Sequence, residues 1–477
     1  MRLLAVAAVF LALGTGACAD PRPAGEPKMP PPATSVSEVG ASKPAPAAGA
    51  QPTAPPAPPT ATAAPAPPAS APAPAAQPEP PAPAPEPRKL AAASGTDFAA
   101  QVRAMYRVAA CGGDDPLPER FSAKVIERHC KEMAETYASY RKAWADPAGK
   151  FIADLRPLDA PKTVVYPFGG GDLVSALVVY PNATEITTIS LEAPGDVRAI
   201  DTIDKSKLAA DLATISHDIR RLYTSAHSTT KSLQAASHST LPGTLMFALA
   251  ALVVHGMEPV GLRYFDLQPD GSPRYLTTEE MDQRAAEFEE LKKAGKKGGP
   301  KPTTHFWYAQ DTPFGNVEIR FRPRGDVSGA PRIYRHIVQN VDDQHMAADD
   351  RLLVHLRQKG KVSVMTKAAS FLLWYDDFSK IREYLLKHVA WMISDASGLP
   401  PSYAEPAGFE QITYGQFVGP YFIIDPKNTR AEFVKLWKAQ PRRPLPFRFG
   451  YPDAEKNNHL MITRPKTAPD DPAKKRP

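Results

Sequence analysis

The chain has 477 residues, enough for one large domain or two small ones, and 54 of them are proline. Lys and Arg total 57 against 51 Asp and Glu, a formal charge of +6. The excess sits in short clusters (Lys292, Lys293, Lys296 and Lys297; Arg442 and Arg443; Lys474–Arg476). Such runs are usually solvated loops, so a nucleic-acid partner is not expected.

Arg2 is followed by an apolar run, Leu3–Leu13. That run is too short for a bilayer, which needs about 20 residues, and suits the apolar part of a signal peptide. The small residues before Cys18 resemble a bacterial lipobox, with Thr15 where leucine is usual. Residues 1–17 then form a lipoprotein signal peptide, Cys18 carries the lipid, and the membrane is the partner. The alternative is cleavage after Ala19 at Ala17-Cys18-Ala19, which would leave a soluble periplasmic or secreted protein. An Asp directly after the cysteine would resemble an inner-membrane retention signal. Ala19 stands there instead, which favours the outer membrane.

Residues 18–87 are mostly Pro and Ala. Such a tract cannot bury enough apolar surface to offset the entropy of ordering. Proline favours extended polyproline II, so the tract reads as a disordered spacer reaching up to about 200 Å. With Cys18 lipidated, Cys111 and Cys130 remain, an even pair in an oxidising compartment. A disulfide between them would tie a Gly/Asp-rich loop to a helix and contribute roughly 3 kcal/mol.

The remainder, residues 88–465, reads as one globular α/β domain, with mixed α+β as the variant, ahead of a disordered tail from 466 to 477. Ala99–Ala110 and Phe121–Trp144 are expected helices. Thr163–Phe168 is a strand by its β-branched and aromatic content. Gly169-Gly170-Gly171 is a sharp turn, and Asp172 is an N-cap for a helix Leu173–Tyr180. Glu185–Leu191 is a second strand. This strand–turn–helix–strand run is a βαβ unit with a Rossmann-like start and parallel pairing.

Further along, Lys205–Ser239 is expected to hold one or two helices, and Thr244–His255 a buried helix. Gly261–Leu267 is a strand before a turn at Gln268–Gly271. Met281–Ala294 is a surface helix followed by a flexible loop, Gly295–Thr303. Asn316–Arg322 and Arg332–Val341 form an antiparallel pair. Asp349–Gln358 is a helix, Val362–Thr366 a strand and Ser379–Ser394 an amphipathic helix. Gln411–Phe417 and Tyr421–Ile424 are short strands, and Ala431–Ala439 a helix.

The most site-like segment is Gly169, Gly170, Gly171 and Asp172, with Glu192 after the next strand. A strand running into a glycine turn can present backbone N–H groups to an anion or nucleotide-like ligand. An acid about 20 residues on can hold a ribose. G-x-G-x-x-G is absent, however, and Asp172 would repel phosphate, so a purely structural turn is the competing reading. His217, His227, His238 and His255 lack zinc spacing, so no metal and no cofactor are expected. Asp342-Asp343-Gln344-His345 could supply acid/base or ion-ligating groups. Asp376-Asp377 suits a helix cap. No G-x-S-x-G elbow or free nucleophilic cysteine points to catalysis.

Val164–Leu173, Tyr180-Pro181-Asn182-Ala183 and Ile189-Ser190-Leu191-Glu192 resemble segments of a family of uncharacterised exported bacterial proteins. Its members carry YPFSGPD, then FP-(D/N)-A, then a strand ending in LEP-x-G. Gly171 replaces that family's proline, and Ala193-Pro194-Gly195 stands for the last motif. Ala368–Phe378, Ser397–Pro400 and Pro444–Tyr451 extend the likeness over most of 162–465. The resemblance implies one co-linear domain and assigns no catalytic residue. The expected function is a stalked cell-envelope lipoprotein, a non-catalytic binding or envelope-assembly module. The alternative is an envelope enzyme, or a relic of one, with a small-ligand site at the Gly169–Asp172 turn.

Overall fold

The computed structural model describes residues 95–224, 240–297, 313–420, 430–450 and 457–466. They belong to one unit, Pro85–Pro477. The expected signal peptide with Cys18, the Pro/Ala tract, His227, His238, the strand expected at 421–424 and the tail beyond Lys466 lie outside the described residues. No helix among the described residues is long and apolar enough to cross a membrane.

The described chain begins with α1 (Ala99–Val108) and α2 (Ala123–Tyr140). A π-helical turn (Arg141–Ala145) runs directly into α3 (Asp146–Leu155). The helix expected to stop near Trp144 therefore continues. Asp146 N–H bonds to Arg141 O across the wide turn, and Pro147, with no N–H of its own, sits in the first turn of α3, where none is needed.

β1 (Thr163–Pro167), α4 (Leu173–Val179) and β2 (Glu185–Ser190) form the expected βαβ unit, and the strands pair in parallel from Thr163↔Glu185. After it come α5 (Ala199–Thr202), α6 (Leu208–Thr224) and α7 (Gly243–Val254). α7 is buried almost all round, as its unbroken apolar sequence demands. β3 (Met257–Leu267), β4 (Pro273–Tyr275), α8 (Thr278–Lys296), β5 (Asn316–Pro323) and β6 (Arg332–Val338) follow. α8 runs past Gly295, which was expected to lie in a loop.

Next are α9 (Asp343–Ala348), α10 (Arg351–Arg357), β7 (Val362–Thr366), α11 (Ser379–His388) and β8 (Val389–Ser394). The single helix expected over Ser379–Ser394 is thus a helix and a strand. Val389–Ser394 is buried at all but one position, so its strand character lacked the polar alternation that reveals a half-exposed strand. The chain closes with α12 (Pro401–Ala404), β9 (Phe409–Gln416), α13 (Ala431–Ala439) and β10 (Asn458–Pro465).

All ten strands join one sheet in the order β4-β3-β5-β6-β2-β1-β7-β8-β10-β9. The central five, β6-β2-β1-β7-β8, are parallel. Taken in chain order they run 3-2-1-4-5, the doubly wound arrangement. The chain builds outward from β1 through β2 to β6, then returns to β7 on the other side of β1. The direction of winding therefore reverses between β1 and β7. Antiparallel strands extend both edges.

Consecutive residues of β1 serve opposite faces, as a period of two requires. Val164 and Tyr166 join the large core built on α1–α4, α6 and α7. Val165 joins the second core, with residues of α9, α10 and α11. A third cluster, including Phe433, Trp437 and Met461, seals the β9–β10 end.

Candidate functional site

In doubly wound sheets, ligands bind outside the carboxyl ends of the strands where the winding reverses. Here that edge carries the loops after β1, β2, β6, β7 and β8. Two of the non-glycine residues with left-handed backbone stand on either side of the reversal: Phe168 (φ 61°) directly follows β1, and Ala368 (φ 59°) lies two residues beyond β7. Such strain clusters at functional sites and at tightly determined turns.

The expected glycine turn is packed from within. Gly169 N–H donates to Tyr166 O (3.2 Å) and Ile189 O (3.1 Å), joining the ends of β1 and β2. Gly170 has φ 49°, which only glycine takes without strain. A Cβ on Gly171 would lie 2.9 Å from the Phe247 ring of α7. Asp172 is the N-cap: Oδ1 accepts Ser175 N–H (3.3 Å) and Oδ2 accepts the Tyr166 hydroxyl (2.9 Å). Both carboxylate oxygens are therefore engaged by the protein. Tyr140, Tyr166, Tyr223 and Tyr334 are buried around it. Burial first, and the Asp172 charge with it, push their hydroxyls above the usual tyrosine range, so all four stay neutral.

Glu192 lies two residues beyond β2 and is 8 % exposed. Its N–H donates to Ser190 Oγ (3.2 Å). Among the described residues its carboxylate has no hydrogen-bond or ion-pair partner, while its carbonyl accepts from His336 Nε2 (2.6 Å). Burial pushes the His336 ring below the usual histidine range, so it is neutral. With Nε2–H donated to Glu192 O, Nδ1 accepts from Thr188 Oγ1 (3.1 Å). The Thr188 hydroxyl in turn accepts from the Tyr334 hydroxyl (2.9 Å). This chain of hydrogen bonds fixes the loop after β2 against β6.

The far side of the reversal holds Lys367 and Asp395, which sequence reasoning missed. Lys367 Nζ stands 5.4 Å over the Trp144 ring and 5.7 Å from the Phe449 ring. Asp395 is fully buried after β8. It accepts Ala368 N–H (3.2 Å), Ser397 N–H (2.9 Å) and the Ser397 hydroxyl. Tyr166 feels both Asp172 and Asp395, so the two carboxylates bracket the end of β1.

The other candidates resolve into structural roles. Asp342 Oδ1 caps α9 through His345 N–H (2.8 Å). Asp343 reaches across to α11 and takes Ser379 N–H (3.1 Å) and Lys380 N–H (2.8 Å). Asp343, rather than Asp376 or Asp377, is thus the cap of α11. A polar side chain distant in sequence displaced the adjacent pair because α9 packs beside α11. His217 is exposed, and no metal-binding group of His, Cys, Asp and Glu occurs among the described residues. Cys111 and Cys130 are joined in a disulfide with Cα atoms 5.2 Å apart. Neighbouring His129 is buried and bonds Ser216 Oγ and Ala109 O, both at 2.8 Å, tying α1, α2 and α6 together.

No family model, curated protein or solved structure matches this chain.

Proposed function

We propose that the chain is a cell-envelope lipoprotein, anchored through Cys18 and spaced from the membrane by its Pro/Ala stalk. Its globular domain serves as a non-catalytic binding or assembly module. The observation that carries the non-catalytic reading is the closed state of the glycine turn. Asp172 spends both oxygens on Ser175 and Tyr166, and Gly171 packs on Phe247. A nucleotide phosphate would meet a carboxylate there instead of free N–H groups. The Cys111–Cys130 disulfide accords with an oxidising compartment. In cell fractionation, the wild type should partition with membranes and Cys18→Ala should move to the soluble fraction. Membrane retention of Cys18→Ala would overturn the anchor.

A second reading is favoured by one observation, the Glu192 carboxylate beside the winding reversal with no partner among the described residues. In that reading Glu192 holds a hydroxyl-bearing small ligand. Glu192→Gln separates the two in a deletion strain complemented with the variant. Unchanged complementation supports the assembly module. Lost complementation, with an unchanged unfolding midpoint, supports the ligand site.

A further inference from the structure

A groove of about 350 Å³ lies between α3 and the C-terminal ends of α4 and α7. That volume falls within the range of small-molecule sites. We infer that this groove binds a short organic carboxylate, its head on Arg156 and Arg141 and its chain over the Ala145–Gly149–Ala153 floor.

Several features support this assignment independently. The groove begins at the π-helical turn, a rare element that recurs at functional sites. The wide turn sets Arg141 and Asp146, five residues apart, on one side, with Arg141 Nη2 3.4 Å from Asp146 Oδ1. Both Arg141 and Ala145, the first and last residues of the turn, line the groove.

Gly149 lies in the middle of α3, where glycine weakens a helix relative to alanine. Packing does not require it, because an added Cβ would meet only Val178 Cγ1, at 3.7 Å. What the missing side chain provides is open space over the floor.

Each arginine is also held with donors to spare. Arg141 Nη1 donates to Val254 O (3.3 Å), and Arg156 Nη1 donates to Val179 O. These bonds answer the negative ends of α7 and α4 and fix each guanidinium in place. A guanidinium carries five N–H donors in a planar fork. Apart from the bond to Val179 O, those of Arg156 have no partner among the described residues. The bond from Arg141 to Asp146 is long and exposed, a pair of little strength. Arg141 and Arg156 against Asp146 leave the groove one positive charge in excess. His255 adds none: burial pushes its ring down to about 4, and its Nε2–H is given to Val174 O (3.0 Å). Leu177, Val178 and Val254 supply an aliphatic wall, which an inorganic anion would not use.

Titration calorimetry of the full chain with hexanoate, hexylammonium and inorganic phosphate tests the assignment. Hexanoate should bind saturably, and Arg156→Gln should weaken it at least tenfold. Gly149→Leu, which fills the floor, should weaken it as much, and Ala153→Leu does the same if Gly149→Leu fails to fold. Absence of hexanoate binding, equal binding of phosphate or hexylammonium, or unchanged affinity in folded variants would each overturn the inference.

Discussion

Asp172 shows how one side chain decides between a ligand site and a turn. Its carboxylate caps α4 and accepts the buried Tyr166 hydroxyl. Asp172→Ala should therefore lose about 1 kcal/mol of capping, and about 1–3 kcal/mol more for the Tyr166 hydroxyl left unsatisfied. Asp172→Asn keeps an acceptor for Ser175 N–H and should cost less than half as much. Urea unfolding of the two variants measures the difference; equal midpoints would refute the double role. The capping half of this role was legible in the sequence, because Asp before an apolar run is a local signal. The tyrosine half was not. Tyr166 is only six positions away, but no local pattern shows that its hydroxyl turns back onto the cap residue. Tyr140, Tyr223 and Tyr334, buried around the same carboxylate, come from α2, α6 and β6. His336 was hidden for the same reason: its bond to Glu192 O spans 144 positions of sequence.

At the scale of elements, legibility followed locality and exposure. β1, α4 and β2 are neighbours in sequence, and their turn and cap signals lie between them. The antiparallel pair β5–β6 showed in its alternation. β8 and β10 did not, because both are buried at consecutive positions along most of their length, which removes the alternation of polar and apolar residues. α3 was hidden by Asp146-Pro147, which reads as a stop until the π-helical turn removes the need for the proline N–H. The loop after α1 is fixed to α2 by a covalent link instead of a packed face. The disulfide closes a separation of 19 residues, and by chain-entropy reckoning its removal should cost about 3 kcal/mol. A Cys111→Ala, Cys130→Ala double variant, unfolded by urea without reductant, checks this. Loss of less than about 1 kcal/mol would show that the loop is already held by Tyr137, whose hydroxyl bonds Ala110 O.

Across the whole molecule, the mixed sheet places polar groups deep inside both cores, and its stability therefore depends on pH. Burial lowers the ring pKa of His129 and His336, and takes His255 to about 4 and His355 to about 3. In the unfolded chain each titrates near 6.5. Between those values the unfolded state binds more protons than the folded one, so stability rises with pH. The contribution is complete above about 6.5 and is lost as pH falls toward the folded values, at about 1.4 kcal/mol per pH unit for each histidine. Glu185 acts in the same direction at lower pH. Its burial would raise its pKa, but Lys359 and Arg335 outweigh that and lower it. Its contribution is therefore present above the ordinary glutamate range and is lost as pH falls through it. The fold should lose stability steeply between pH 6.5 and 4.5. Urea midpoints recorded over this range measure the slope, which His355→Gln should flatten by about 1.4 kcal/mol per unit. A midpoint constant from pH 7 to pH 5 would mean that these rings are reached by water and titrate alike in both states.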